Sequence, residues 1–329
     1  MSAVYFLVAG KIIFLIMAAF FSSLAVQAQL IEPASTFRKI DRNGYFRFHY
    51  DNDYFTKTDY YYSQGISIEY VHPSLQKFPL SKLLLRFPNS EVVYGTVLNF
   101  FGYTPVNINS DSIPFGDRPY SSAITGSLFS SSTDTSRKLH ISNSISVGIF
   151  GPLALGERMQ TNIHRWLKNK LPQGWQHQVA NDAIIDYQLN VEKRLWAFQD
   201  RFLLNGVAQA QLGTLKTKAS TGINLMAGYF KNPYKPIPVH KEKLQLYLFG
   251  QARYHLVAYD ALLQGGLLNR SSPYTIAAGD ISRFVLQLDG GIALNYKKLF
   301  LTYSRSFIGK EFHSGTNHQW GGISVGFSW

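Results

Sequence analysis

Residues 319–329 read QWGGISVGFSW, and this stretch is the strongest single indication of the fold. Large apolar side chains stand at every second position, at Ile323, Val325, Phe327 and Trp329. Glycine and serine fill the positions between them. Because successive side chains of a strand point to opposite faces, this period of two predicts a strand with one apolar face and one face of small residues.

The same alternation recurs along the chain, and its polar phase carries charged and amide side chains. Near the start, Phe46 and Phe48 alternate with Arg47 and His49. Residues 61–72, 137–149 and 244–259 follow the same pattern. A strand with aromatic residues on one face and Arg or His on the other is typical of a wall between lipid and a polar interior.

We count about twelve such segments, each near the ~9–11 residues that a tilted membrane-spanning strand needs. They are predicted at 43–53, 61–72, 92–104, 119–130, 137–149, 182–195, 199–214, 218–230, 244–259, 281–296, 298–308 and 319–329. The predicted fold is an all-β membrane protein, an antiparallel transmembrane β-barrel with a short helix at 153–169. No linker divides the chain after its leader, so residues 29–329 are predicted to form one domain.

The first 28 residues have the pattern of a secretory signal peptide. They contain one charge, Lys11, an apolar run over 12–21, and small residues before the expected cleavage after Ala28. A membrane-spanning helix is the alternative for this stretch. The chain has no cysteine, which excludes disulfides and cysteine-ligated metals. Its net charge of +12 favours a phosphate-bearing partner, and for an exported chain we expect anionic lipid rather than nucleic acid.

The last predicted strand ends in an aromatic residue, Trp329, which indicates where the protein is located in the cell. This ending resembles the terminal strand of bacterial outer-membrane proteins, which the barrel assembly machinery reads. Together with the predicted signal peptide, the resemblance implies the outer membrane and its lipid as the surroundings of the barrel.

One stretch interrupts the strand pattern, residues 148–167, which read GIFGPLALGERMQTNIHRWL. Pro152 cannot donate a ladder hydrogen bond, so the strand should end there. Beyond it the spacing predicts a helix with an apolar stripe that includes Trp166. Gln160 and His164 lie one turn apart on another face, where an imidazole could deprotonate a water that the amide orients. The alternative is an ordinary exposed helix face.

A second candidate constellation lies where the first two strands meet. Asn52 and Asp53 end the first strand, and Ser63 begins the second, so a hairpin would bring them together. Carboxylate and amide oxygens on turns are the ligands that Ca²⁺ prefers. The alternative is that Asn and Asp simply mark a strand end and its turn.

Two further segments are expected to support the structure. In GDRPY at 116–120, Asp117 and Arg118 suggest a local charge pair in a turn. In GWQHQ at 174–178, Trp175 is expected to anchor the helix against the barrel.

Taken together, these segments resemble the lipid A 3-O-deacylase family of outer-membrane barrels. The resemblance is carried, in order, by Asn52-Asp53 with TDYYYSQG (58–65), GDRPYSS (116–122), GIFGPLALGERMQTNIH (148–164) and GWQHQ (174–178). It implies a carboxylic ester hydrolase with a twelve-stranded barrel, lipid A or lipopolysaccharide as substrate, and hydrolysis of the 3-position acyl ester. It also implies a cofactor, Ca²⁺ or another divalent cation.

The resemblance assigns roles residue by residue. His164 would be the base that activates water, with Gln160 beside it on the helix. Asn52 and Ser63 would line the site, and Asp53 and Asn52 would hold the metal. In chemical terms, the cation would polarise the ester carbonyl and hold the developing negative charge.

The sequence also departs from the family pattern. Tyr60 replaces an arginine, Ser63 a threonine and Gln64 an asparagine, although Ser63 keeps the hydroxyl group. Ser110 and Lys170 stand where some relatives have a basic and an acidic residue. These changes bear on the cation shell and on substrate contacts.

Two other functions compete with this one. The string HISN at 140–143 resembles the HxSN motif of outer-membrane phospholipases of the Ser-His type, with His140 and Ser142 on one strand face. In that family the pair faces lipid, whereas here both residues fall in the inward phase. The other alternative is a non-catalytic barrel, a small porin or an adhesin.

Overall fold

A computed structural model describes residues 35–40, 44–56, 61–88, 90–235 and 244–329. The strands are β1 (Tyr45–Asn52), β2 (Tyr61–Val71), β3 (Val92–Thr104), β4 (Ser121–Asp134), β5 (Leu139–Phe150), β6 (Asp182–Phe198), β7 (Phe202–Gly213), β8 (Lys216–Tyr229), β9 (Gln245–Asp260), β10 (Phe284–Tyr296), β11 (Leu299–Ile308) and β12 (His318–Ser328). The α-helices are α1 (Gly156–Leu167) and α2 (Ala261–Gln264). Short 3₁₀ helices lie at Thr36–Arg38, Asp53–Thr56, Pro73–Lys77, Pro79–Leu83, Pro152–Ala154 and Trp175–His177.

The twelve strands form one closed antiparallel barrel in which each strand pairs with its neighbours along the chain. Closure comes from β1, which pairs with β2 on one side and with β12 on the other. In that closing pair Phe46 lies opposite Phe327 and Tyr50 opposite Ile323. The predicted fold class and strand number are therefore confirmed. In the described part of the chain, none of the helices is long and apolar enough to span a membrane.

The antiparallel order gives the barrel two distinct ends. Connections that follow odd-numbered strands lie at one end, called here the loop end, which carries α1 and α2. The opposite end, called here the terminal end, holds the start of β1 and the finish of β12. Both predicted site segments follow odd-numbered strands, so both lie at the loop end.

The two faces of β1 show the predicted alternation. Phe46 and Phe48 are 39% and 38% exposed and point outward, whereas Arg47 and His49 are buried inside the barrel. Arg47 pairs with Glu69 of β2 at 2.6 Å. Large apolar groups thus face the surroundings, and the charged groups find partners within the wall.

The strand positions match the prediction to within a few residues, but the helix is shorter than predicted. The prediction placed it at 153–169, whereas α1 spans Gly156–Leu167 after a separate 3₁₀ turn. Leu155 and Lys168 have left-handed backbones, with φ of 61° and 57°, and these end the regular helix on both sides. The predicted signal peptide at 1–28 lies outside the described residues.

Residues 35–40 enter the barrel and fill its terminal end. The amide and hydroxyl of Thr36 donate to Glu192 of β6 at 3.0 and 2.5 Å. The ring of Phe37 stacks on Phe249 with centroids 4.8 Å apart, and the Tyr247 hydroxyl donates to the Phe37 carbonyl. The interior at this end is packed protein, as expected for a barrel of this size with long inward side chains.

We predict that Glu192→Ala destabilises the barrel by about 1–3 kcal/mol, since it leaves buried donors without an acceptor. The carboxylate is fully buried and accepts hydrogen bonds from Thr36 and from Asn224 at 2.7 Å. Urea titration of the protein folded in lipid vesicles would measure the change in the free energy of unfolding. Glu91→Ala, at an exposed position, is the control and should have little effect. Equal stability of the two variants would contradict the proposed role of Glu192.

Candidate active site

The start of α1 is set by a turn at the end of β5. Gly151 has φ of 97°, and a Cβ there would lie 2.7 Å from the Asn181 amide nitrogen. Its own amide donates to the Ser122 carbonyl of β4 at 2.9 Å, so the chain bends sharply over the neighbouring strand. Glycine is required here both for its backbone conformation and for lack of space. The turn places α1 at the loop end beside β4.

The helix packs with its Gln160–His164 face against the protein. Gly156, Gln160 and His164 are the buried residues of α1. In contrast, Trp166 is 81% exposed. A Cβ on Gly156 would come within 2.5 Å of Ser122, so the small residue allows close approach. The Gln160–His164 face is therefore not an ordinary exposed helix face.

Trp175 holds Gln160 in a defined orientation. The indole nitrogen donates to Gln160 Oε1 at 2.8 Å, and the indole ring is buried against Tyr120 with centroids 5.0 Å apart. Because an indole N–H can only donate, the contacting Gln160 atom is the oxygen. The Gln160 NH₂ group is thus the end of the side chain available to act as a donor. Trp175 is an anchor beneath the helix, in agreement with its expected role.

His164 is oriented by the main chain just beyond its own helix. Its Nδ1 lies 2.6 Å from the carbonyl oxygen of Lys170. A carbonyl only accepts, so Nδ1 carries the proton in the neutral ring and Nε2 has the lone pair. The left-handed Lys168 reverses the chain, and the Asn169 amide bonds back to the His164 carbonyl at 2.8 Å. Lys170 thus contacts His164 through its main-chain carbonyl. The sequence departs from the family pattern at this position only in the side chain, which does not take part in this contact.

Asn52 and Ser63 meet at the loop end of β1 and β2, and Asp53 directly follows Asn52. Asn52 Nδ2 donates to the Ser63 carbonyl at 2.8 Å, and Ser63 Oγ lies 2.9 Å from Thr104 Oγ1 of β3. The ladder between β2 and β3 shifts register between Tyr62 and Gln64, which leaves Ser63 at a bulge. A bulge frees a main-chain carbonyl from the ladder and re-aims the local side chains. Asp53 is buried and begins the 3₁₀ turn after β1.

The connection over residues 105–120 links these strand ends to the helix region. It continues from Thr104, and its Ile108 carbonyl accepts from the Gln173 amide at 2.7 Å. Near its middle, Ser110 is half-buried and bonds locally to Ser112 at 2.6 Å. Near its end, Tyr120 packs on Trp175. This connection therefore runs from the end of β3, where Thr104 contacts Ser63, to the residues that follow α1.

A buried ion pair at the loop end replaces the local charge pair that the sequence suggested. Arg118 is fully buried, and its guanidinium pairs with Glu311 in the β11–β12 connection, not with Asp117. It also lies over the Tyr103 ring at 3.9 Å. Asp117 instead accepts main-chain amide hydrogen bonds, including that of Arg118 at 2.7 Å. The partners are 193 residues apart in the chain, so no local pattern joins them.

The residues present suit a hard cation in type, although they form only part of a shell. Asp53 offers a carboxylate and Asn52 an amide carbonyl, both oxygen ligands. Among the described residues, no group of three His, Cys, Asp or Glu side chains is placed to hold a metal. A Ca²⁺ ion at this position would complete its shell with main-chain carbonyls, water or substrate oxygens.

Comparison with known proteins shows the family of the chain. The family model described as outer membrane protein LpxR matches residues 13–329. The chain belongs to the LpxR family of outer-membrane proteins. A search of curated proteins finds no match.

Solved structures of similar shape include one from this family. LpxR from Salmonella typhimurium superposes with a TM-score of 0.71 at 18% identity, over 87% of this chain and all of that one. At this identity the likeness shows the fold, a closed outer-membrane barrel. The β domain of the Bordetella autotransporter BrkA gives a TM-score of 0.46 at 8% identity, over 87% of this chain and 99% of that one. Family membership places the barrel in the outer membrane.

The alternative Ser–His pair lies inside the barrel. His140 and Ser142 are each 1% exposed on the inner face of β5. His140 Nδ1 lies 2.8 Å from Thr133 Oγ1, and Ser142 Oγ accepts from Asn190 at 3.4 Å. On the opposite face of this strand, Val147 is apolar and 54% exposed. The pair therefore does not face lipid as it does in the phospholipase family that the HISN string resembles.

We predict that the neutral His164 ring is the Nδ1–H tautomer. Nitrogen-15 chemical shifts of the protein in detergent, assigned by comparison with His164→Gln, would show which nitrogen is protonated. His177 provides an internal contrast, because its Nε2 lies 2.8 Å from the Asp111 carbonyl and should carry the proton. An Nε2–H tautomer at His164 would contradict the orientation described above.

We also predict that acid loosens the loop end only well below the usual range for carboxylates. Burial by itself would raise the pKa of Glu311, but Arg118, with smaller contributions from His318 and Lys216, outweighs it and lowers the pKa to about 2. Because the pKa is lower in the folded state, the stabilisation is complete above the unfolded pKa and is lost as pH falls towards 2. The protection of the amides of residues 309–317 against hydrogen exchange, relative to an unfolded chain at the same pH, should stay high at pH 4 and fall near pH 2. In Glu311→Gln this protection should be low at both pH values, and equal protection in the two proteins would disprove the assignment.

Proposed function

We propose that this chain is an outer-membrane lipid A deacylase that hydrolyses the 3-position acyl ester of lipid A. The observation that carries the proposal is the orientation of His164, whose Nδ1 is held by the Lys170 carbonyl so that Nε2 can act as a base. Gln160 stands one turn away with its oxygen held by Trp175. Membership in the LpxR family supports the substrate and the reaction class.

The reaction begins with proton transfer from water to Nε2 of His164 as the water oxygen attacks the ester carbonyl. Lys170 stabilises the resulting imidazolium through its carbonyl, since Nδ1–H points at a partial negative charge. In this mechanism the NH₂ group of Gln160 orients the water by hydrogen bonding. When the tetrahedral intermediate collapses, the bond from the acyl carbon to the sugar oxygen breaks and His164 returns the proton to that oxygen. The products are a free fatty acid and a 3-hydroxyl group on lipid A.

The strand-end residues have a binding role in this proposal. Asp53 and Asn52 would hold Ca²⁺ or another divalent cation. The cation, when bound, supplies positive charge that polarises the ester carbonyl. The Ser63 hydroxyl is held by hydrogen bonding with the Thr104 hydroxyl. The Ser63 main-chain carbonyl accepts from Asn52 and so fixes the orientation of the Asn52 side chain. Because this carbonyl is a main-chain group, replacement of threonine by serine at position 63 preserves the contact.

The competing functions have less support in the structure. A Ser-His phospholipase would need His140 and Ser142 on the lipid side, but both are buried in the barrel. A porin would need an open interior, but residues 35–40 and their partner Glu192 fill the terminal end. The buried face of α1 with Gln160 and His164 has no role in either alternative.

We expect purified protein to remove one 3-position acyl group from lipid A in the presence of Ca²⁺, as read by mass spectrometry. His164→Gln should lower the rate by about 10²–10⁴-fold, the usual contribution of a general base. Chelator should abolish the activity. His313→Gln, an exposed histidine at the same end of the barrel, is the matched control and should retain it.

Other outcomes identify the alternatives. Fatty acid released from phospholipid and lost in Ser142→Ala would indicate the phospholipase. If no lipid changes under any condition while the barrel is folded, the chain is a non-catalytic member of the family. Activity that persists in His164→Gln would disprove the role of the helix.

A further inference from the structure

Five large apolar side chains are exposed in α1 and in the residues that flank it. These are Leu153, Leu155, Trp166, Leu167 and Leu171, called here the α1 apolar patch. Trp166 is 81% exposed and Leu153 61%. Large apolar groups clustered in this way mark a surface that contacts something other than water.

Basic side chains border the α1 apolar patch. Arg158, Arg165 and Lys168 are exposed on the helix or at its end, and Glu157 is the one acidic residue between positions 153 and 171. The third side of the helix, at Gln160, is buried against the protein. An apolar stripe next to a basic face is the pattern of a helix that lies in a membrane interface.

The α1 apolar patch also continues the lipid-facing wall of the barrel. Its first member, Leu153, is tied by its amide to Asn181, which directly precedes β6, at 2.8 Å. Below that point, Val147 of β5 and Ile185 of β6 pair across the ladder and are 54% and 63% exposed. The apolar outer surface therefore extends from these two strands to the helix above them.

We propose that α1 lies in the membrane interface, with the α1 apolar patch among the acyl chains and its basic side chains on lipid phosphates. The occupant is the anionic lipid of the leaflet that surrounds the loop end. Arg and Lys reach phosphates while their alkyl stems cover apolar surface, and a Trp at this depth has its ring at the boundary of headgroups and chains. This position keeps the face with His164 and Gln160 turned towards the protein. It is independent of whether the chain hydrolyses an ester.

Quenching of Trp166 fluorescence by brominated lipid tests this position. Trp196 and Trp329 are also exposed on the barrel, so both are first replaced by phenylalanine. Of the three remaining tryptophans, Trp175 and Trp320 are buried, at 2% and 1% exposed. This variant is folded into phosphatidylglycerol vesicles with and without bromine on the acyl chains, and its partner carries Trp166→Phe in addition.

We expect bromine to quench the first protein strongly and to lose most of this effect in the Trp166→Phe partner. Iodide in the aqueous phase should quench Trp166 only weakly. The basic side chains should make α1 prefer phosphatidylglycerol over phosphatidylcholine. The double variant Arg165→Gln, Lys168→Gln should reduce this preference, and added salt should also weaken it. Circular dichroism confirms that each variant is folded.

Two results would overturn the proposal. Strong iodide quenching without bromine quenching would place the helix in water. If neither agent quenches Trp166, a protein surface such as a second copy of the chain covers the patch. Neither result depends on catalysis, so the proposed function and this proposal can fail separately.

Discussion

Lipid offers no hydrogen-bond partner, so every backbone amide and carbonyl of a membrane-spanning sheet must be paired within the protein. The pairing of β1 with β12, from Tyr45 opposite Ser328 to Asn52 opposite Gly321, satisfies this constraint by closing the barrel. The candidate site depends on the same closure. Asn52 is the last residue of β1, and Trp320 of β12 stacks on Tyr62 next to the bulge at Ser63. An open sheet would leave these strand ends without fixed positions.

Closure also encloses charges, and the barrel places them in pairs. Arg253 bonds to Asp289 at 3.3 Å and Lys216 to Asp260 at 2.8 Å, all of them buried. A buried pair adds little stability over an apolar pair, but losing one member is costly. These buried pairs therefore constrain which strands and loops can lie next to each other. Arg118 extends this principle to the loop end, where it holds two distant connections together.

The chemistry of the site rests on departures from regular backbone geometry. The bulge at Ser63 frees the carbonyl that Asn52 binds, and the left-handed Lys168 returns the chain so that the Lys170 carbonyl reaches His164. Such irregular positions cost conformational energy, and they persist when surrounding contacts hold them. Thr104 contacts Ser63 at the bulge, and Trp175, which is packed on Tyr120, is bonded to the helix through Gln160. The helix can then bury its polar face while its apolar face stays outside.

The barrel and its strands could be predicted from the amino-acid sequence alone, because an alternation of apolar and polar residues over some ten residues is a local signal of a strand with lipid on one side. It also marked Gln160 and His164 as neighbours, since helical spacing is local as well. Three features required the folded structure: the buried face of α1, the contact of the Lys170 carbonyl with His164, and the pairing of Arg118 with Glu311. These depend on backbone exceptions and on contacts between residues far apart in the chain. Neither irregular backbone positions nor long-range contacts produce a periodic pattern in the sequence.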